Sequence, residues 1–249
     1  MKRLILASLT LGFLLSFPAL VQAEVTLVAP GGAKAAMDIL LPKYESQTGN
    51  KVKATFGSGL GTKKQAAEGI FDVSIVQPPY PEVLNSGNVD TKSQTPLASV
   101  AVGVAVKKGA PKPDISTPAA VKAMLLAAKS VSFPDAAGGA AAGVSFEATL
   151  KQLGIADQVK ITRAQGGAGA MKAVSDGKVE IGLTFLSEME DPGIDVVGPL
   201  PASISPPTQL VGIISAHSKS ATEAKALLTY LSGSAAAEVY RAQGMTPLH

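Results

Sequence analysis

The sequence predicts an α/β protein of two lobes, joined by two strands and enclosing a cleft, and three observations carry that expectation. Strand, Gly-rich turn, helix and strand recur along the chain, the order that builds parallel βαβ units. Two segments rich in Val, Ile and Ala, Leu97 to Val106 and Gln209 to Ser215, bracket the middle of the chain. Two such crossings between lobes imply a hinge. Finally, 249 residues with 46 % hydrophobic and 16 % charged allow a large core and exclude a disordered chain.

The first residues read as an export signal. Lys2 and Arg3 form a basic start, Leu4 to Val21 is almost wholly apolar with Pro18 inside it, and Val21-Gln22-Ala23 supplies small residues for cleavage after Ala23. The expected signal peptide is therefore 1–23, and the expected location is the periplasm. Of 22 basic residues, two fall in this segment, leaving 20 against 19 acidic ones. The basic pI thus carries no argument for nucleic acid.

In the remaining chain, Val25 to Val28 reads as a strand ending in Pro30-Gly31-Gly32. Ala33, Ala36, Met37, Leu40, Leu41 and Tyr44 follow helical spacing, and Gly49-Asn50 stops that helix. Val52 to Phe56 alternates as a strand, Gly57 to Thr62 is a Gly-rich turn, Lys63 to Glu68 a helix, and Phe71 to Val76 a strand. Pro78 to Pro81 fixes a turn that leaves Tyr80 able to lean into the cleft. Beyond the first crossing, a helix is expected at Pro118 to Ala128, a strand at Ser130 to Phe133 and a helix at Val144 to Leu153. A strand at Val159 to Thr162, a helix running to Val174 and a strand at Glu180 to Phe185 complete this lobe. A Pro-rich loop runs to Pro207, and Ala221 to Leu231 and Ser234 to Gln243 read as two closing helices. The expected outer lobe is 24–105 with 209–249, and the inner lobe 106–208.

Four loops of one kind, at Pro30 to Gly32, Gly57 to Thr62, Ala137 to Gly143 and Gln165 to Gly169, lead from strands into helix N-termini. Ligands of open α/β sheets sit outside the carboxyl ends of the strands. Helix N-termini present free N–H groups and a positive dipole end, which suits a small anion. Neither the dinucleotide fingerprint nor a P-loop is present. Cysteine is absent and His217 and His249 are isolated, so neither a disulfide framework nor a metal site is expected. The acidic residues Glu188, Glu190, Asp191 and Asp195 read as a solvated loop. No cofactor is expected.

At four stretches the chain resembles a known family. "FGSGLGTKKQAAEGIFDV" (Phe56 to Val73), "AAGVSFEATLKQLGI" (Ala141 to Ile155), "VEIGLTFLSEM" (Val179 to Met189) and "AKALLTYLSGSAAAEVYRAQGM" (Ala224 to Met245) are similar to periplasmic substrate-binding proteins of ABC importers, in the molybdate-binding branch. The resemblance implies a type II periplasmic-binding-protein-like fold with a two-strand hinge. It also implies a monomer that carries a small anion to a membrane permease. The family places a hydroxyl where this chain has Gly31-Gly32, serines at Ser58 and Gly59, and a tyrosine where this chain has Phe185. It uses backbone N–H groups at positions matching Ala142 and the neighbourhood of Gly167. The expected ligand-binding residues are Gly31, Gly32, Ser58, Gly59, Thr62, Ala142, Gly143, Gln165, Gly166, Gly167 and Phe185.

The missing hydroxyls argue against tight molybdate binding, since each donor in a dehydrated anion site is worth about 1.5–3 kcal/mol. Lys63, Lys64, Arg163 and Gln165 near the loops suit a larger organic carboxylate instead. The expected function is therefore capture of the anion for import with no chemistry on it; the alternative is an enzyme, because the same branch also resembles periplasmic aconitate isomerases. An isomerase needs carboxylate clamps and a base. Lys63, Lys64 and Arg163 are the candidate clamps; the loops offer no evident base, which leaves a desolvated lysine as the alternative.

Overall fold

The computed structural model describes residues 24–249, so the expected signal peptide and its cleavage site lie outside the described residues. In chain order the elements are β1 (Glu24–Pro30), α1 (Lys34–Thr48), β2 (Lys51–Gly57), α2 (Gly59–Glu68), β3 (Val73–Val76) and α3 (Pro81–Leu84). There follow β4 (Thr95–Val100), β5 (Val102–Lys107), α4 (Pro118–Ala127), β6 (Val131–Pro134), α5 (Ala141–Leu153), β7 (Ile161–Ala164) and α6 (Gly166–Ser175). The chain closes with β8 (Ile181–Phe185), β9 (Ile194–Pro199), β10 (Thr208–Ile214), α7 (Ala221–Leu231), α8 (Ser234–Ala242) and β11 (Met245–Pro247).

These strands form two sheets, one per lobe. The outer sheet has the order β11-β4-β10-β3-β1-β2 and the inner sheet β7-β6-β8-β5-β9. In the outer sheet β1 runs parallel to β2 and β3, while β10 is antiparallel to β3 and β4. The inner sheet repeats the scheme, with β6 parallel to β7 and β8, and β5 antiparallel to β8 and β9. Each lobe thus has a parallel βαβ core whose strands end on the cleft side, at Pro30, Gly57 and Val76 in one and Pro134, Ala164 and Phe185 in the other.

Helical periodicity buries one face of α1, with Ala36, Met37, Leu40, Leu41 and Tyr44 inside. Gly49 ends it in the left-handed conformation, φ 76°, which glycine adopts without a Cβ penalty. Tyr44 packs on Tyr230 of α7 with ring centroids 5.3 Å apart, tying the first helix to the C-terminal pair. In the inner lobe Phe133 meets Phe146 edge to face at 4.9 Å. Burying each such side chain contributes about 1.5–3 kcal/mol relative to exposure.

The structure moves several expected boundaries. The apolar run Leu97 to Val106 is two strands, β4 in the outer sheet and β5 in the inner, and the chain changes sheets at Ala101. Residues 102–105, expected in the outer lobe, therefore belong to the inner sheet, and Thr208, expected in the inner lobe, opens β10 of the outer sheet. The run is apolar because both strands are buried, so hydropathy shows no break between them. Helix α2 begins at Gly59, four residues before the expected Lys63, because Ser58 accepts from Gly61 N at 3.1 Å and caps the helix through its glycines. Likewise α5 starts at Ala141 rather than Val144. The Pro-rich loop contains β9, and β11 follows the last helix.

Candidate functional site

The cleft between the lobes is a cavity of about 580 Å³ lined by loops from both sheets. From the outer lobe come Pro30 to Gly32 after β1, Gly57 to Gly59 after β2, and Gln77 after β3. The inner lobe supplies Pro134, Asp135 and Ala140 to Ala142 around the start of α5, and Arg163 to Gly167 at the start of α6. Gly138, before α5, and Phe185 and Glu188, at and after the end of β8, complete the lining. The N-termini of α2, α5 and α6 and the 3-10 turn Gly31–Ala33 before α1 all open on it. First-turn N–H groups have no partner further along their own helix; in α2, Leu60 N and Gly61 N are taken by Gly139 O and Ser58 Oγ, so the backbone donors of the wall come chiefly from α5 and α6.

Glycine lets side chains of the opposite wall approach closely here. A Cβ on Gly32 would stand 2.9 Å from Phe185 Cδ2, and one on Gly59 2.7 Å from Gln77 Oε1. A Cβ on Gly167 would collide with Glu188 Oε2 and lie 2.6 Å from Thr184 Oγ1. Gly31 and Gly32 therefore leave room for inner-lobe side chains. Two hydrogen bonds also cross between lobes: Ser187 Oγ donates to Gly32 O at 2.8 Å, and Leu60 N to Gly139 O at 3.3 Å.

Of the residues expected to bind ligand, Gly31, Gly32, Ser58, Gly59, Ala142, Gln165, Gly166, Gly167 and Phe185 line the cleft. Thr62 and Gly143 do not. Thr62 is buried in α2, where its hydroxyl donates to Ser58 O at 3.0 Å. Gly143 packs against β6, where a Cβ would overlap the Pro134 carbonyl. Lys63 and Lys64 also lie off the lining. Because α2 starts early, they sit on its second turn, and Lys63 Nζ donates to Pro79 O at 2.6 Å. Arg163 lines the cleft, but its guanidinium is held by Asp135 at 3.5 Å and Glu147 at 3.0 Å, so its charge is partly neutralised. Tyr80 donates to Gln94 Oε1 at 3.0 Å and is absent from the lining.

The acidic loop is not uniformly solvated. Glu190 is exposed, whereas Glu188 turns inward and lines the cleft. Its Oε2 accepts from Thr184 Oγ1, and Phe185 N also donates to the carboxyl. Burial pushes its pKa above the usual carboxylate range, and these two hydrogen bonds only partly offset that. Gln77 is the second residue that the sequence reading missed. It is 2 % exposed, and both its amide atoms lack a hydrogen-bond partner. Both residues follow the carboxyl end of a strand, the position that topology reserves for ligand contacts. That was the available signal.

Among the described residues no group of three or more His, Cys, Asp or Glu is arranged to hold a metal ion, and no helix is long and apolar enough to cross a membrane. His217 is exposed, 3.1 Å from Asn88 Oδ1.

Comparison with known proteins agrees with this geometry. The chain is 31 % identical, over 98 % of its length and 97 % of the relative's, to an aconitate isomerase from a Pseudomonas species. The fold is similar to the periplasmic molybdate-binding protein of Azotobacter vinelandii, with a TM-score of 0.72, 20 % identity, and coverage of 89 % of this chain and 98 % of that one. It is also similar to the sulfate-binding protein SubI of Mycobacterium tuberculosis, with a TM-score of 0.70, 17 % identity, and coverage of 91 % and 88 %. Residues 25–246 match the bacterial extracellular solute-binding proteins from end to end of the two-lobed architecture, and the chain belongs to that family.

Proposed function

We propose that the protein is exported to the periplasm, with the signal peptide removed after Ala23, and that its cleft takes a small organic polyacid and relocates its double bond. The reaction class is that of an aconitate isomerase, the activity of the Pseudomonas relative. The observation that carries this reading is Glu188, a carboxyl enclosed in an anion-suited cleft with its pKa raised by burial. A plain oxyanion receptor gains nothing from an acidic side chain in its wall. A carbon acid isomerase needs one, because a base poised nearer neutrality transfers protons efficiently.

The chemistry is a 1,3 shift of a single proton. Ionised Glu188 removes a proton from the methylene carbon, and the C–H electron pair delocalises over the allyl system and its attached carboxylates. The helix N-termini of α5 and α6 stabilise that charge where it develops. Glu188 then returns the proton to the carbon at the far end of the allyl unit, the double bond moves, and no net proton is consumed. Thr184 fixes the Oε2 side of the carboxyl throughout. Arg163 and the first-turn amides of the loops hold the outer carboxylates.

A second reading is favoured by the two hydrogen bonds that hold the lobes together across the cleft. Lobe closure over a ligand is a shape that an ABC permease can read, so the protein would capture its solute and deliver it unchanged. Incubating the purified protein with cis-aconitate and following the trans isomer separates the two. Interconversion in both directions is the expected result. Tight binding without turnover overturns the isomerase reading and leaves capture for import.

A further inference from the structure

Gln77 is an orphan in a place that selects for a partner. Its side chain is shut from solvent, and neither Nε2 nor Oε1 has a hydrogen bond. The amide lies between two of the glycine loops, with Nε2 3.8 Å from the Cβ position of Gly32 and Oε1 2.7 Å from that of Gly59. Buried polar groups are hydrogen-bonded as a rule, so each unmatched atom points to a ligand that completes it.

The two atoms make opposite demands. Nε2 needs an acceptor and Oε1 needs a donor. A bare oxyanion such as molybdate brings acceptors alone and leaves Oε1 unmatched. An ionised carboxylate has the same defect. A carboxyl group that keeps its proton carries donor and acceptor side by side, and pairs with a primary amide through two hydrogen bonds in a ring. That pairing is satisfied whichever way round the amide is placed.

We infer that Gln77 is the specificity-determining residue of the cleft, binding a carboxyl group of the ligand that retains its proton. This rests on the polycarboxylate reading of the site, and does not require turnover. The surrounding charges favour it. Among the residues lining the cleft, the ionisable ones are Asp135, Arg163 and Glu188. Asp135 and Glu147 already answer Arg163, so Glu188 is the charge least compensated. A negative Glu188 disfavours full ionisation of a ligand enclosed with it, and the ligand proton remains on the carboxyl that Gln77 completes.

The test uses tricarballylate, the saturated tricarboxylate that has no double bond to move. Its binding to wild type and to Gln77→Met is measured by titration calorimetry from pH 5.5 to 8, in two buffers of different ionisation enthalpy. The same pair is made in a Glu188→Gln background, which removes the proton that Glu188 itself contributes. Gln77→Met should weaken binding about tenfold or more and lower proton uptake on binding by close to one. It should also raise the melting temperature of the free protein, since the methionine leaves no buried amide unmatched. Unchanged affinity, or weakened affinity with proton uptake unaltered, overturns the inference. Isomerisation of cis-aconitate is assayed separately: turnover with an indifferent Gln77 sinks this inference alone, and a Gln77-dependent proton uptake without turnover sinks the isomerase reading alone.

Discussion

Glu188→Gln is the most informative perturbation of the proposed site. Glutamine keeps the volume of the side chain and still accepts from Thr184 Oγ1, but it cannot take up a proton. A positioned general base contributes about 10²–10⁴-fold. At 1.36 kcal/mol per decade, its loss raises the barrier by about 2.7–5.4 kcal/mol. The assay is the rate of appearance of trans- from cis-aconitate, with the affinity for tricarballylate measured in parallel. Turnover should fall by at least about a hundredfold, while tricarballylate binds no more weakly than to wild type, because the substitution takes an uncompensated negative charge out of the cleft.

Thermal unfolding supplies an independent check of sign. The folded-state pKa of Glu188 is raised, so the native protein holds a proton that the unfolded chain has already released. Its contribution is fully present below the unfolded value, about 4.3, and is lost as pH rises through the raised folded value. Wild type should therefore lose stability over that window relative to Glu188→Gln. A variant that turns over within about threefold of wild type, or that shows the same pH slope, refutes the role assigned to Glu188.

Ser58→Ala removes the cap that accepts from Gly61 N, at about 1 kcal/mol, and should lower the melting temperature by about 2–4 °C. Gly167→Ala drives a Cβ into Glu188 Oε2; turnover should drop by about a hundredfold as the base is displaced, while circular dichroism shows the fold retained. Asp72 tests the opposite pH sign. Burial pushes its carboxyl up, but hydrogen bonds from Thr26 N, Thr26 Oγ1, Ser218 and Ser220 outweigh this and leave its pKa low. The resulting stability is present above the unfolded value and is lost as pH falls through the lowered one. Asp72→Asn should cost about 1–3 kcal/mol at pH 7, reduced by the partial exposure of the group, and should flatten the acid limb of a thermal unfolding profile.

Periodicity made most of the architecture legible. The apolar stripe of α1, the closing helices and the strands that lead into glycine loops were all visible as local patterns, and they were enough to assign the fold. The sheet change at Ala101 was not, because β4 and β5 are buried alike and no turn residue separates them. In the site, the glycine loops were legible because glycine after a strand signals a close approach. Lys63 and Lys64 misled because charge near a glycine loop resembles an anion clamp, while the Ser58 cap had already turned them past the cleft. Glu188 was missed for a related reason. Its neighbours Glu190, Asp191 and Asp195 give the segment the composition of a solvated loop, and only the 3-10 turn Leu186–Glu188 after β8 turns this one side chain inward.

The strand order of the outer sheet has a consequence for how the chain comes to be folded. β10 lies between β3 and β4, and its residues come after the whole inner lobe in the chain. As synthesis proceeds from the N-terminus, β5 to β9 emerge complete and can pair among themselves. Meanwhile β3 and β4 each wait with an open hydrogen-bonding edge for a partner more than a hundred residues downstream of them. Such long-range pairing is slow, and open edges invite pairing with other chains. The outer half of the cleft, with Ser58 and Gln77, is thus assembled last, and a nascent chain interrupted before Thr208 holds an inner lobe with no mate.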